Sequence, residues 1–256
     1  MSADDDSPTS EDALLDGKLI LRQPVRGHRF GHDSVLLAAA TAARPGEHAI
    51  ELGAGVGAAG LALAQRVAAL TVALVEIDPA LTALARENAA RNALADRVRA
   101  ICLDVGARAG DFAAAAVAPG SADHVLMNPP FNAPHNQSPD RDRRLARIAS
   151  DVTLVRWLST AARLLQPQGS VTLIWRAEGL GEVLAALAEG FGGITVLPVH
   201  PKPGAAAIRV LARGVKDSGA PLTLLPGLVL ADAENRPSAA AQAVLRHGAA
   251  LLMDGS

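Results

Sequence analysis

Short apolar runs alternate with longer segments of helical composition along most of this chain. Ala49-Ile50-Glu51-Leu52 has strand length and ends in Gly53-Ala54-Gly55-Val56-Gly57, after which Ala58 to Val67 is helical in composition. Leu70 to Val75 is a second strand, closed by Glu76-Ile77-Asp78-Pro79. A proline suits the first turn of a helix, where its missing N–H has no partner to lose, so a helix runs from there to about Asn92. Val98 to Leu103 is a third strand ending at Asp104, and His124 to Met127 is a fourth. Residues 148–165 predict a helix, Ser170 to Trp175 a fifth strand and Glu178 to Glu189 another helix. Ile194 to Val199 and Ile208 to Ala212 complete the set. Pro201-Lys202-Pro203-Gly204 between them is too short for a crossover helix, so this last pair should be antiparallel. Alternation of strand and helix is the mark of a mostly parallel sheet covered on both faces. The expected class is α/β, with six parallel strands and one antiparallel.

The flanks are less regular. Arg26-Gly27-His28-Arg29-Phe30-Gly31-His32-Asp33 precedes a helix beginning near Ser34, with Asp33 a suitable N-cap. Residues 1–16 contain Asp4, Asp5, Asp6, Glu11, Asp12 and Asp16 and no Lys or Arg, which reads as a disordered acidic tail. Residues 17–219 then form one domain, and 220–256 an extension packed on it. In that extension Leu222 to Leu230, broken by Pro226-Gly227, is a hairpin or two extended pieces, and Pro237 to His247 suits a short helix.

Composition sharpens the picture in three places. Half of the 256 residues are hydrophobic but only 2% are aromatic, so the core must be built from Ala, Leu and Val. The single cysteine, Cys102, excludes an intramolecular disulfide and a Cys-based metal site, and its apolar surroundings predict a small core residue. The formal charge of −2 conceals an asymmetry. The six carboxylates of residues 1–16 are unopposed, so 17–256 carries +4, and 21 of the 24 basic residues are Arg. The amino-terminal MSADDDSPTS has no apolar signal core and no uncharged apolar run spans a bilayer, so a soluble, cytoplasmic protein is expected. His28 and His32 have no Cys or acidic cluster matched to them, so no metal is expected.

Two segments carry chemistry. Three glycines turn a strand into a helix at Gly53–Gly57, which permits close backbone approach beside the free N–H groups of a helix start. Gly55-Val56-Gly57-Ala58-Ala59-Gly60 formally matches the dinucleotide fingerprint, so an NAD-dependent oxidoreductase is one alternative. Against it stands the acidic Glu51 ahead of the glycines. Glu76 lies 19 residues beyond Gly57, the spacing of a carboxylate that grips ribose hydroxyls. The second segment is Asn128-Pro129-Pro130-Phe131, directly after a strand. Two prolines end ladder pairing and stiffen the chain into a rim. An amide and two prolines supply neither a nucleophile nor a strong base. They suit a planar amino group: the Asn oxygen accepts one N–H, a Pro carbonyl the other, and the Phe ring stacks on the base.

Asn128–Phe131 resembles the Asn-Pro-Pro-aromatic signature of S-adenosylmethionine (SAM)-dependent methyltransferases acting on amino nitrogens of adenine, cytosine or glutamine. Glu51-Leu52-Gly53-Ala54-Gly55-Val56-Gly57 resembles their cofactor loop. With Phe30-Gly31-His32-Asp33-Ser34-Val35-Leu36-Leu37-Ala38 and Asp104 in the expected order, the chain from about 25 to 255 looks like the bacterial methyltransferases that modify the adenine next to the anticodon of a valine tRNA. The resemblance implies a Rossmann-like seven-stranded fold whose last strand is antiparallel. It puts Phe30, Gly31 and Asp33 at the methionine end of SAM, and Glu51, Gly53, Ala54, Gly55, Gly57 and Asn128 along it. Glu76 then takes the ribose, Ile77 the adenine face and Asp104, beside Val105, its amino group. Asn128, Pro129, Pro130 and Phe131 are the implied catalytic residues. Phe131 in place of Tyr leans toward a base and away from glutamine, and too few residues precede Ala49 for a helical N-terminal domain. Adenine of ribosomal RNA or DNA, or a protein glutamine, stay open as acceptors. A tRNA partner needs cations on its phosphates: Arg141, Arg143, Arg144 and Arg147 follow the catalytic loop, Lys202 lies in a turn on the same sheet edge, and Arg26 and Arg29 flank the lead-in segment. Trp157 and Trp175 read as helix–sheet packing.

Overall fold

A computed structural model of the chain describes residues 8–25, 30–130 and 154–253. It opens with an antiparallel hairpin of β1 (Thr9–Leu14) and β2 (Leu19–Pro24), followed by α1 (His32–Ala40). Strand and helix then alternate: β3 (His48–Leu52), α2 (Ala58–Arg66), β4 (Thr71–Glu76), α3 (Pro79–Arg91), β5 (Val98–Cys102), α4 (Ala109–Ala114) and β6 (Ala122–Met127). A helix α5 over residues 154–164 leads into β7 (Leu165–Arg176), which a single 3-10 turn joins to α6 (Leu180–Ala188). β8 (Phe191–His200) and β9 (Arg209–Lys216) complete the central sheet in the order β8-β9-β7-β6-β3-β4-β5.

β9 is antiparallel to both β7 and β8, so β8 runs with β3–β7, giving six parallel strands and one antiparallel. The short Pro201–Gly204 turn forces that reversal, as the sequence predicts. Alternate residues of the central strands serve two cores, because helices cover both faces of the parallel sheet. Ile50, Leu52, Val75, Val125 and Met127 face a core shared with α5 and α6. Ala49, Val72, Leu74 and Leu126 face one shared with α1 and α2. Trp175 is fully buried, as its packing role requires.

Register decides where ligands can sit. Leu52 pairs with Val75 on one side and Met127 on the other, and Glu76 pairs with Cys102. The carboxyl ends of β3, β4, β5 and β6 are therefore level. The chain leaves β3 toward β4 and β5, then returns to β6 on the opposite flank, so the switch of direction lies between β3 and β6. Ligands of open α/β sheets bind at such a point, outside the strand ends. Gly53 and Asn128 follow its two strands.

Three expectations need correction. Residues 9–16 are ordered, with their carboxylates partnered from a distance: Glu11 by Arg91 at 2.8 Å, Asp12 by the Gln23 amide at 2.8 Å and Asp16 by His247 at 3.1 Å. Residues 1–7 of the expected tail lie outside the described residues. Asp33 does not cap α1; Gly31 is the N-cap and Asp33 sits inside the first turn. Cys102 is exposed, because it ends the strand at the open edge of the sheet.

In the carboxyl-terminal part, two extended pieces, β10 (Thr223–Leu224) and β11 (Leu228–Val229), pair parallel with β8. Ser238 then caps α7 (Ala239–Leu245) by accepting from the Ala241 N–H at 3.0 Å, and Val244 joins the core with α1. Among the described residues no helix is long and apolar enough to cross a membrane.

Candidate functional site

A cavity of about 720 Å³ opens at the switch point. Its floor is the glycine loop. Gly53, Gly55 and Gly57 all have left-handed φ, at +66°, +55° and +85°. At Gly57 that backbone starts α2, whose Leu61 N–H bonds to the Gly57 carbonyl at 2.9 Å. At Gly53 the requirement is also steric, since a Cβ there would collide with the indole of Trp157.

Glu76 ends β4 with its carboxylate pinned between two backbone donors. The Gly55 N–H donates to Oε2 at 2.7 Å and the Asp78 N–H to Oε1 at 2.9 Å. One side chain thus fixes the glycine loop to the start of α3, and Asp78 in turn caps that helix through Ala80 and Leu81. A carboxylate held this way has its orientation set before a ligand arrives, which suits the ribose role expected of it. Ile77 follows with 62% of its surface exposed, an apolar face open to the cavity. Asp104 lines the cavity beside Val105 and Leu81, and its Oδ1 accepts the Gly106 N–H at 2.7 Å in a tight turn.

At the other flank Asn128, Pro129 and Pro130 leave β6 along the cavity wall. The Asn128 Oδ1 is buried and has no hydrogen-bond partner among the described residues. An acceptor kept from water without a donor is costly, and the residue that carries it lines the cavity. Phe30, Gly31, Asp33 and Ser34 also line the cavity, and the Phe30 N–H donates to the Gln23 side chain of β2 at 3.1 Å.

Most of the expected residues therefore meet in one place: Phe30, Gly31, Asp33, Gly53, Gly55, Glu76, Ile77, Asp104, Val105, Asn128, Pro129 and Pro130 all line the cavity. Glu51, Ala54 and Gly57 do not. Glu51 points away from it, and its Oε2 accepts the Gly60 N–H of α2 at 2.7 Å. Burial drives its pKa up to about 8; the Gly60 bond opposes the shift and nearby Glu76 adds to it. The Ala54 N–H bonds to Val75 and its carbonyl to the Gly57 N–H, so these two residues shape the loop. Lys202 lies in the turn between β8 and β9, on the cavity's edge of the sheet but outside the lining. Phe131, Arg26, Arg29, Arg141, Arg143, Arg144 and Arg147 fall outside the described residues.

Leu81, Trp157 and Arg209 line the cavity without having been legible as lining residues. Trp157, expected in packing alone, also forms cavity wall over Gly53. Arg209, the first residue of β9, reaches Asp33 through its Nε at 2.9 Å across 176 residues of sequence. Its position after an apolar residue at a strand start gave no signal. Among the described residues the lining holds three carboxylates, Asp33, Glu76 and Asp104, against one guanidinium, a balance that favours a cationic ligand. No group of metal-ligating side chains gathers among the described residues.

The family model described as methyltransferase small domain matches residues 28–202. A tRNA1(Val) (adenine(37)-N6)-methyltransferase of Porphyromonas gingivalis is 33% identical over 57% of this chain and 58% of its own length. Proteins of the same name from Tolumonas auensis and Bacteroides thetaiotaomicron are 33% and 29% identical, over 64% and 72% of this chain and 65% and 75% of their own. The chain thus spans less than two thirds of the first of these relatives. Among solved structures, a protein described as a predicted O-methyltransferase from Agrobacterium tumefaciens superposes with a TM-score of 0.72 and 28% identity, over 86% of this chain and 98% of that one. TrmN from Thermus thermophilus shares the fold at a TM-score of 0.51 and 21% identity, over 72% of this chain and 47% of that one.

Proposed function

The chain belongs to the methyltransferase small domain family, and from that premise we propose that it transfers a methyl group from SAM to the exocyclic amino nitrogen of an adenine in RNA. The named relatives point to the adenine beside the anticodon of a valine tRNA. The observation that carries this reading is Asn128, which lines the cavity and whose Oδ1 has no hydrogen-bond partner among the described residues.

The cavity fits the cofactor on its own chemistry. Glu76 takes the ribose hydroxyls, Ile77 packs against the adenine and Asp104 accepts from its amino group. The acidic lining suits a sulfonium cation. When bound, SAM supplies a methyl group that is already activated. The protein's task is then to bind and orient the acceptor, which by itself contributes large rate factors. An adenine everted from the anticodon loop stacks on Phe131. Asn128 Oδ1 accepts a hydrogen bond from one amino N–H and the Pro129 carbonyl from the other, which draws the nitrogen toward sp³ geometry and turns its lone pair to the methyl group; one amino proton is lost to water as the N–C bond forms and the S–C bond breaks. Pro130 shapes the wall beside Pro129. Arg141, Arg143, Arg144, Arg147, Lys202, Arg26 and Arg29 supply cations for the phosphates.

The test is transfer of a tritiated methyl group from SAM to bulk tRNA lacking adenine methylation, followed by nucleoside analysis. A labelled N6-methyladenosine peak is expected. Label in ribosomal RNA, DNA or protein instead would keep the family and replace the acceptor.

A further inference from the structure

We propose that Trp157 binds the positive charge of the cofactor, its indole lying against the sulfonium in a cation–π contact; this rests on the cofactor reading above.

The chain is poor in aromatic residues, with two Trp, four Phe and no Tyr. Its cores are built chiefly from Ala, Leu and Val, and Trp175 is fully buried in one of them. Trp157 is placed otherwise. It is half-buried, packed on the core shared with α5 and α6 and open to the cavity. Packing alone is served by Leu on the same helix, at Leu154 and Leu158. What an indole adds is the negative potential of its ring faces, which attracts a cation. Among the described residues no protein cation takes that place: Arg163 lies over Phe112 and Arg176 over Trp175. Carboxylates attract any cation, whereas an aromatic face favours an alkylated one with diffuse charge, which a sulfonium is. Strand register sets where the ring stands. Leu52 pairs with Met127, so Gly53 and Asn128 leave neighbouring strands side by side, about 5 Å apart. The indole lies against Gly53, where a Cβ would collide with its Cη2. The group to be transferred belongs at the same stretch of wall, since its acceptor is held at Asn128 and reacting atoms stand about 3 Å apart. The helix that carries Trp157 is fastened to the loop after β5. The Thr160 hydroxyl donates to the Val105 carbonyl at 3.0 Å, and Arg156 and Arg163 donate to those of Gly106 and Ala107 at 3.2 and 3.0 Å.

Calorimetric titration of the full chain with SAM and with S-adenosylhomocysteine isolates the charge, because the two differ only by the sulfur's methyl group and positive charge. Trp157→Leu should weaken SAM relative to S-adenosylhomocysteine about 3- to 30-fold, the range of a partly desolvated cation–π contact. Trp157→Phe, which keeps a smaller ring, should shift the ratio less. Biosynthetic replacement of tryptophan by fluorotryptophan withdraws electron density from the ring while keeping its shape. It should move the ratio in the same direction, even where the Leu variant fails to fold. Trp175 is buried outside the cavity lining, so its fluorination affects both ligands alike. An unchanged ratio in the fluorinated protein and in Trp157→Phe, with or without a common loss of affinity, would make Trp157 a packing residue and overturn the proposal. If the unsubstituted protein bound neither ligand, the cofactor reading itself would fall and this inference with it.

Discussion

Glu51 shows how a residue of the right type in the right motif can serve a different purpose. Side chains of a strand alternate between faces. Ile50 and Leu52 face one core, so Glu51 goes with Ala49 to the face covered by α2, where its carboxyl meets the Gly60 N–H. That parity was readable in the sequence; the motif resemblance overrode it. The consequence is a pH dependence of stability. The folded-state pKa is raised from 4.5 to about 8, chiefly by burial. The stabilising contribution of the bound proton is therefore complete below about 4.5 and lost as pH climbs through about 8. Glu51→Gln keeps an acceptor for Gly60 and cannot ionise. Thermal melts should show the variant equal to the parent at pH 4 and more stable at pH 9, by on the order of a few kcal/mol. Parallel melting curves across that range would show that Glu51 ionises no differently when folded.

At the scale of elements, the hairpin β1–β2 and helix α3 form a brace behind the glycine loop. Asn88 is fully buried in α3. Its Oδ1 accepts the Arg22 N–H at 2.7 Å, and its Nδ2 donates to the carbonyls of Arg22 at 2.9 Å and Val56 at 3.1 Å. One carboxamide therefore joins the hairpin, the helix and the loop that floors the cavity. Asn88→Ala leaves those buried groups unpaired and should cost about 2–4 kcal/mol in denaturant unfolding. Asn92→Ala removes a similar pair of bonds to Ile20 at the exposed side and should cost less, about 1 kcal/mol. Equal costs would show that burial of the Asn88 bridge adds nothing. The brace was not legible beforehand, because an acidic, base-free segment reads as solvated and its partners, Arg91, Gln23 and His247, come from elsewhere in the chain. The Asp78 cap with Pro79, by contrast, is a local signal, and α3 starts where it predicts.

For the whole molecule, strand–helix alternation and one short turn predicted seven strands, six one way and one reversed; the folded sheet adds β10 and β11 beside β8 and supplies the order in which the level ends of β3 and β6 frame a switch point. Residues that follow those ends, such as Gly53, Ile77 and Asn128, were assigned to a shared site by the motif resemblance, and the level strand ends give the physical reason why they meet. Arg209 could not be so assigned, since it reaches the cavity only because β9 is inserted antiparallel beside β7. Trp157 could not either, because an indole at helical spacing looks the same whether it meets a sheet or a cavity. The central claim brings sheet, cofactor site and acceptor together at Asn128. The measurement that tests it most directly is the rate of N6-methyladenosine formation by Asn128→Ala on unmodified tRNA, paired with its affinity for S-adenosylhomocysteine. A rate lower by about 100- to 1000-fold, the loss typical of one aligned hydrogen-bonding group, with affinity nearly intact, is the predicted result. An unchanged rate would contradict the account.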